Sequence, residues 1–135
     1  MPSEARSTMQ QKPHGIEALL ANQVQSLAAI LQDIQNSIVE REALSHSVLA
    51  ETAENYHYVK AKLFEIELWP LSASKALTQR RTALEQQLET LNQQLRNERI
   101  QSWRDIAVLK TEARKWFKEY QNLADRVRFI LESGK

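Results

Sequence analysis

The sequence predicts an all-α protein, a long antiparallel helical hairpin or coiled coil broken at Pro70. Glycine is absent between Ile16 and Ser133, and proline occurs there only once, at Pro70. Because these two residues are the strongest breakers of regular backbone, long helices with one interruption are expected. Leu, Ala, Gln, Glu, Lys and Arg, which are good helix formers, are abundant.

The predicted organisation is a disordered leader over 1–14 followed by a single helical coiled-coil domain over 15–135. The leader contains two prolines and no periodic apolar pattern. The first helix is predicted over about 16–68. From Leu20 to Ile38 its apolar residues step alternately by four and three, which is the a/d spacing of a coiled coil.

This spacing weakens between Arg41 and Asn55, where Ser45 and Thr52 also take positions that should be apolar. Two interpretations are open for this stretch. We favour a continuous helix, and the alternative is a real break capped by Ser45 or Ser47.

A turn is predicted over 69–72, because a proline removes an amide donor and pushes the preceding residue out of the helical region. Trp69 should therefore end the first helix. Either Ser72 or Ser74 is then suited to cap the second helix, which we predict over about 73–131.

The second helix has heptads up to Leu95 and again from Ile106. The eleven-residue step between them is predicted to be bridged by Arg99 and Trp103, which is a stutter that locally unwinds a supercoil. In the C-terminal register Phe117 falls at an e position, beside the a/d positions.

An apolar stripe that includes e positions is typical of a helix that contacts two neighbours. The sequence therefore predicts completion to a three- or four-helix bundle. Three sources of the extra helix are open: a fold-back near Ser45, a second copy of the chain, and a different protein. The simplest alternative is a self-contained three-helix bundle with the aromatic residues in its core.

Several kinds of chemistry are disfavoured by the sequence. There is no cysteine, and the two glycines, Gly15 and Gly134, cannot build a phosphate-binding loop. Glu54 and His57 have the Glu-x-x-His spacing of di-iron bundles, but only one such motif is present, so we predict that His57 lies at the surface. We expect no catalytic residue, metal ligand, cofactor or small-molecule substrate, and no enzymatic activity.

The formal charge is unevenly distributed. Residues 15–69 carry three basic and eight acidic residues, whereas residues 71–135 carry thirteen basic and eight acidic ones. The basic residues that bear on nucleic-acid binding are Arg96, Arg99, Arg104, Lys110, Arg114, Lys115 and Lys118. Because acidic residues interrupt this set, we predict a solvated mixed-charge face, and a nucleic-acid-binding surface is the alternative.

The sequence predicts no interaction with a membrane. The longest uncharged run, over residues 18–32, is shorter and more polar than a membrane-spanning helix. The first eleven residues also lack the apolar region of a secretory signal. We therefore expect a soluble, intracellular and by default cytoplasmic protein.

Residues 19–67, and in particular the run Ile38-Val39-Glu40-Arg41-Glu42-Ala43-Leu44, resemble bacterial flagellar export chaperones. These are intracellular all-helical proteins of similar size. The resemblance implies a chaperone that holds an aggregation-prone partner, although residues 103–129 do not match the pattern.

The predicted function is that of a non-enzymatic coiled-coil scaffold or adaptor subunit, which binds a partner protein or a second copy of itself. The alternatives are a nucleic-acid-binding coiled coil and an intracellular holding chaperone. The candidate interface residues are Leu20, Val24, Leu27, Leu31, Ile34, Ile38, Trp103, Ile106, Leu109, Trp116, Phe117, Tyr120, Leu123 and Val127.

The register places Trp116 at a d position, so its truncation tests whether this aromatic residue is an anchor. We expect Trp116→Ala to cost at least about 2 kcal/mol of association or folding free energy, because large aromatic side chains dominate desolvated contacts. Chemical denaturation and sedimentation measure the two quantities. If neither changed, Trp116 would not be an anchor.

Overall fold

The computed structural model describes residues 15–68 and 74–133. They form two α-helices, α1 over Gly15–Glu67 and α2 over Lys75–Ser133, and this described part contains no strand. The all-α prediction is confirmed. Each helix end lies within two residues of the position predicted from the sequence.

The predicted leader over 1–14, the turn over 69–72 and a cap by Ser72 lie outside the described residues. Ser74, the other candidate cap, directly precedes α2. Its backbone carbonyl accepts a hydrogen bond from the amide of Thr78 at 3.0 Å, which is a bond of the first helical turn.

Helix α1 continues without interruption through the stretch where the apolar spacing weakens. Arg41 and Thr52 are partly buried there, and Ser45 is buried. Arg41, Ser45 and Thr52 thus occupy inward positions of an unbroken helix, whereas Asn55 is exposed. A fold-back near Ser45 does not occur, so this route to a third helix is excluded.

The chain forms two compact units, and each unit contains part of both helices. We call residues 39–67 and 75–107 the central unit, and residues 15–38 and 108–133 the terminal unit. Neither unit contains a third helix among its described residues.

The two helices of the central unit run antiparallel. Arg41, near the start of its α1 segment, contacts Asp105 near the end of its α2 segment, whereas Glu67 at the end of α1 contacts Arg81 early in α2. The central unit is therefore a helical hairpin.

Few apolar side chains are buried in either unit. Among the described residues the buried apolar ones are Ile34 and Ile38 in the terminal unit and Val59 in the central unit, and no described side chain is fully enclosed. A helix that packs against one neighbour covers only one stripe of its surface, which explains this thin core.

The eleven-residue step of α2 differs from its prediction. Glu98 and Ser102 turn inward there, whereas Arg99 and Trp103 are exposed. Trp103 keeps 70% of its surface accessible and Ser102 keeps 8%. Because Glu98 faces inward, its carboxylate forms an ion pair with the guanidinium of Arg41. Arg99 and Trp103, the predicted bridging residues, carry no carboxylate and cannot form this pair.

Because so few apolar residues are buried, each one should matter for stability. We expect Ile38→Ala to lower the free energy of unfolding by about 2–4 kcal/mol, through lost burial and the cavity left behind. The neighbouring Val39 is exposed, so Val39→Ala is the matched control and should change stability by less than about 0.5 kcal/mol. Equal effects in urea denaturation would contradict the core assignment.

Candidate protein-interaction surfaces

A three-residue ion cluster lies between the helices of the central unit. The Nη1 atom of Arg41 lies 2.8 Å from Oε1 of Glu98, and its Nε donates to Oδ2 of Asp105 at 2.9 Å. Gln101 donates from Nε2 to Oδ1 of Asp105 at 2.8 Å. The two acidic residues lie seven residues apart on α2, so one guanidinium bridges two successive heptads.

The contacts in this cluster shift the pKa values of Arg41 and Asp105. The hydrogen bond from Arg41, followed by that from Gln101, lowers the pKa of Asp105 below its ordinary value of 3.8. The hydrogen bonds to Glu98 and Asp105 raise the pKa of Arg41. Both effects favour the charged forms of Arg41 and Asp105.

Two buried serines accompany the cluster. Ser45 follows Arg41 by one turn of α1, and Ser102 lies between Glu98 and Asp105 on α2; the two serines are 7% and 8% exposed. We call these five residues the polar layer. Buried polar groups can fix the register of two packed helices, because sliding one helix along the other would separate the polar groups from their partners.

The candidate interface residues divide into two groups. Those that are buried or partly buried are Leu20, Val24, Leu27, Leu31, Ile34, Ile38, Ile106, Leu109, Trp116, Tyr120, Leu123 and Val127. Trp103 and Phe117 are exposed, with 70% and 50% of their surface accessible. The interface role of the whole set stays a prediction, but these two are available to another chain.

Sequence reasoning missed further exposed aromatic residues. Tyr58 and Phe64 in the central unit lie beside the partly or fully buried positions Val59 and Leu63, and both are exposed. The sequence signal for their exposure is their position next to Val59 and Leu63, because consecutive side chains on a helix point about 100° apart.

Some aromatic side chains are oriented by contacts along α2. The Phe117 and Tyr120 rings stack with centroids 6.4 Å apart and an angle of 19° between their planes. The ammonium of Lys115 lies 5.7 Å from the centre of the Trp116 ring. These contacts restrict the rotamers of residues that lie one turn apart or less.

The seven basic nucleic-acid candidates are all exposed. Arg96, Arg99 and Arg104 belong to the central unit, whereas Lys110, Arg114, Lys115 and Lys118 belong to the terminal unit. Of the acidic residues interspersed among them, Glu112 is also exposed. Exposure is compatible with a solvated face and with phosphate binding alike.

Two open grooves lie between the helices of the central unit. One, of about 570 Å³, is lined by residues that include Tyr58, Lys62 and Arg80. The other, of about 680 Å³, is lined by Val48 and Ile100, among others. Both combine apolar stems with amide and charged groups and are open to solvent.

No group of metal-ligating side chains occurs within residues 15–68 and 74–133. His57, the histidine of the Glu-x-x-His motif, is exposed as predicted, and its ring forms a T-shaped pair with the ring of Tyr56 at a centroid distance of 5.8 Å. The described part of the molecule thus offers contact surfaces and no assembled ligand set.

The chain belongs to a family of unknown function, DUF8104, whose model matches residues 12–129. No curated protein matches the sequence significantly. No solved structure does so either. Neither described helix combines the length and apolarity required to cross a bilayer.

The ion cluster makes a prediction about pH. Since the folded pKa of Asp105 lies below its unfolded value, the stability it contributes is complete above about pH 4 and is lost as the pH falls through the folded pKa. Arg41→Gln should remove the main cause of the shift. We therefore expect the pKa of Asp105, followed by carboxyl NMR, to move up towards 3.8.

The same substitution should lower the midpoint of thermal unfolding at pH 7, because two carboxylates lose their shared counter-ion. Arg81→Gln is the control: its pairs with Glu67 and Glu85 are exposed and contribute little. A wild-type Asp105 that titrates at its ordinary value would contradict the ion cluster.

Proposed function

We propose that the chain is a non-enzymatic coiled-coil scaffold or adaptor subunit that acts by binding another protein chain. The observation that carries this proposal is the exposure of its aromatic side chains. Eight aromatic residues other than histidine lie in the described part: Tyr56, Tyr58, Phe64, Trp103, Trp116, Phe117, Tyr120 and Phe129. Five of them are exposed, three are partly buried and none is buried.

Aromatic residues dominate the cores of self-contained domains, because each buries a large apolar area. Isolated exposed aliphatic residues are ordinary and carry no argument. Trp103 and Phe129 are each 70% accessible, so most of the apolar area of these large side chains is free to be buried against another chain. Tryptophan is also enriched at the centres of interfaces, where burial gives it a large share of the binding energy.

The helix architecture supports the same proposal. An apolar stripe wider than the a/d positions, as α2 carries around Phe117, is covered when a helix packs against two neighbours. Within each unit, the described segment of α2 has one neighbouring helix, which is the segment of α1. A further helix from another chain would cover the remainder, which is how coiled-coil subunits assemble.

A nucleic-acid-binding coiled coil is the second candidate. Two observations support it: the exposure of all seven basic candidates, and the unpredicted exposure of Trp103 beside Arg99 and Arg104. An exposed ring among arginines can stack on a base while the cations neutralise phosphates. Interspersed acidic residues oppose this, so protein binding remains the main proposal.

Neighbouring residues provide a matched test of the two candidates. One double variant, Trp103→Gln with Phe117→Gln, removes exposed rings; the other, Arg104→Gln with Lys118→Gln, removes exposed cations at the adjacent positions. All four residues are exposed, so both variants should keep the helical circular dichroism of the wild type.

We expect the aromatic variant to lose protein association at least tenfold, measured by light scattering for self-association and by tagged purification for a discrete partner. The basic variant should bind as the wild type does. If instead the basic variant alone lost binding, and binding to oligonucleotides fell steeply between about 50 and 200 mM salt, nucleic acid would be the ligand. No association of any kind by the wild type would refute both candidates.

A further inference from the structure

The terminal unit contains an uncharged helical segment. Residues 18–32 of α1 include no Asp, Glu, Lys or Arg over fifteen positions, which is about four turns. Ala18, Ala21, Gln25 and Ala28 recur there at steps of three and four, so they share one side of the helix, and all four are exposed. Charged side chains are normally depleted at the core of an interface and not on a free surface.

Helix α2 of the same unit has the opposite character. Its exposed apolar residues include Phe117 and Leu131, which are bulky and, at fourteen residues apart, lie on the same side of the helix. Phe117 is held by its stacking contact with Tyr120. Small side chains on one helix and large ones on the other are complementary in shape, because large residues fill the space left by alanine when helices approach.

The charges of the two helix segments are also complementary. Residues 15–38 contain two acidic residues and no basic one, a net charge of −2. Residues 108–133 contain six basic and four acidic residues, a net charge of +2. Packing α1 against α2 of another copy brings opposite charges together, whereas packing like against like does not.

The available area is of the size that a stable dimer needs. The α1 segment of the terminal unit has 24 residues, so it is roughly 36 Å long at 1.5 Å per residue. Two helices side by side, each about 10 Å across, present a face of roughly 700 Å². Specific interfaces bury about 800 Å² on each partner.

We propose that the terminal unit docks onto a second copy of this chain, with residues 15–38 of each copy packed against residues 108–133 of the other. The two contacts are equivalent, as in a two-fold symmetric dimer. Each α2 then has a second α1 as its neighbour. This inference rests on the proposed function and names the partner.

The test uses the full-length chain and light scattering after size-exclusion chromatography. The wild type should have a mass of about twice 15.6 kDa. Ala28→Glu places a charge in the contact and should raise the dissociation constant by about a hundredfold or more. Ala28 is exposed within each copy and glutamate is a good helix former, so helicity should be unchanged.

Ala61→Glu is the matched control, because Ala61 is also exposed on α1 but belongs to the central unit; this variant should remain a dimer. Phe117→Lys should dissociate like Ala28→Glu. Mixing the two monomeric variants should then restore a dimer, because the new glutamate meets the new lysine while the second contact keeps its native residues.

The outcomes separate this inference from the proposed function. A wild type that is monomeric but recovers a discrete partner overturns the second-copy inference and leaves the proposed function standing. A monomer that recovers no partner refutes both. A dimer that persists in Ala28→Glu, or that mixing fails to restore, overturns the assignment of this surface.

Discussion

Two helices that lie side by side share one line of contact, and everything else in this protein follows from that constraint. With one neighbour, a helix can bury about one residue in three or four, so the core is limited to a single row. Ile34, Ile38 and Val59 are its fully buried apolar members in the described part. The bulky residues that do not fit this row remain on the surface, where they define what the molecule can bind.

Within the central unit the polar layer compensates for the thin core by fixing which residues are paired. Apolar heptads are nearly equivalent along a helix, so by themselves they discriminate weakly between registers that differ by seven residues. Arg41 meets Glu98 and Asp105 in one register only. We infer that the layer contributes specificity more than free energy, because the partial removal of Arg41 and Glu98 from water offsets much of their attraction.

The helices and their ends could be predicted from the sequence, because the lack of glycine and the single proline act locally. The continuity of α1 through Ser45 could be predicted for the same reason. The exposure of Trp103 could not be predicted in the same way. Between Leu95 and Ile106 the three- and four-residue steps of a helix allow two sets of inward positions, one through Arg99 and Trp103 and the other through Glu98 and Ser102. Hydrophobicity favours the set that contains Trp103. The set that forms turns Glu98 towards Arg41, which lies more than fifty residues away in the sequence.

The arrangement of the two units has a consequence for the order of folding. Contacts in the central unit begin close to the connection, where Glu67 and Arg81 are only fourteen residues apart. The terminal unit brings residues 15–38 beside residues 108–133, so every contact between its helices closes a loop of at least seventy residues. Because the entropy of loop closure grows with length, the hairpin should form from the connection outwards. The terminal unit then folds last and opens first, and a docked chain there would stabilise its weakest part.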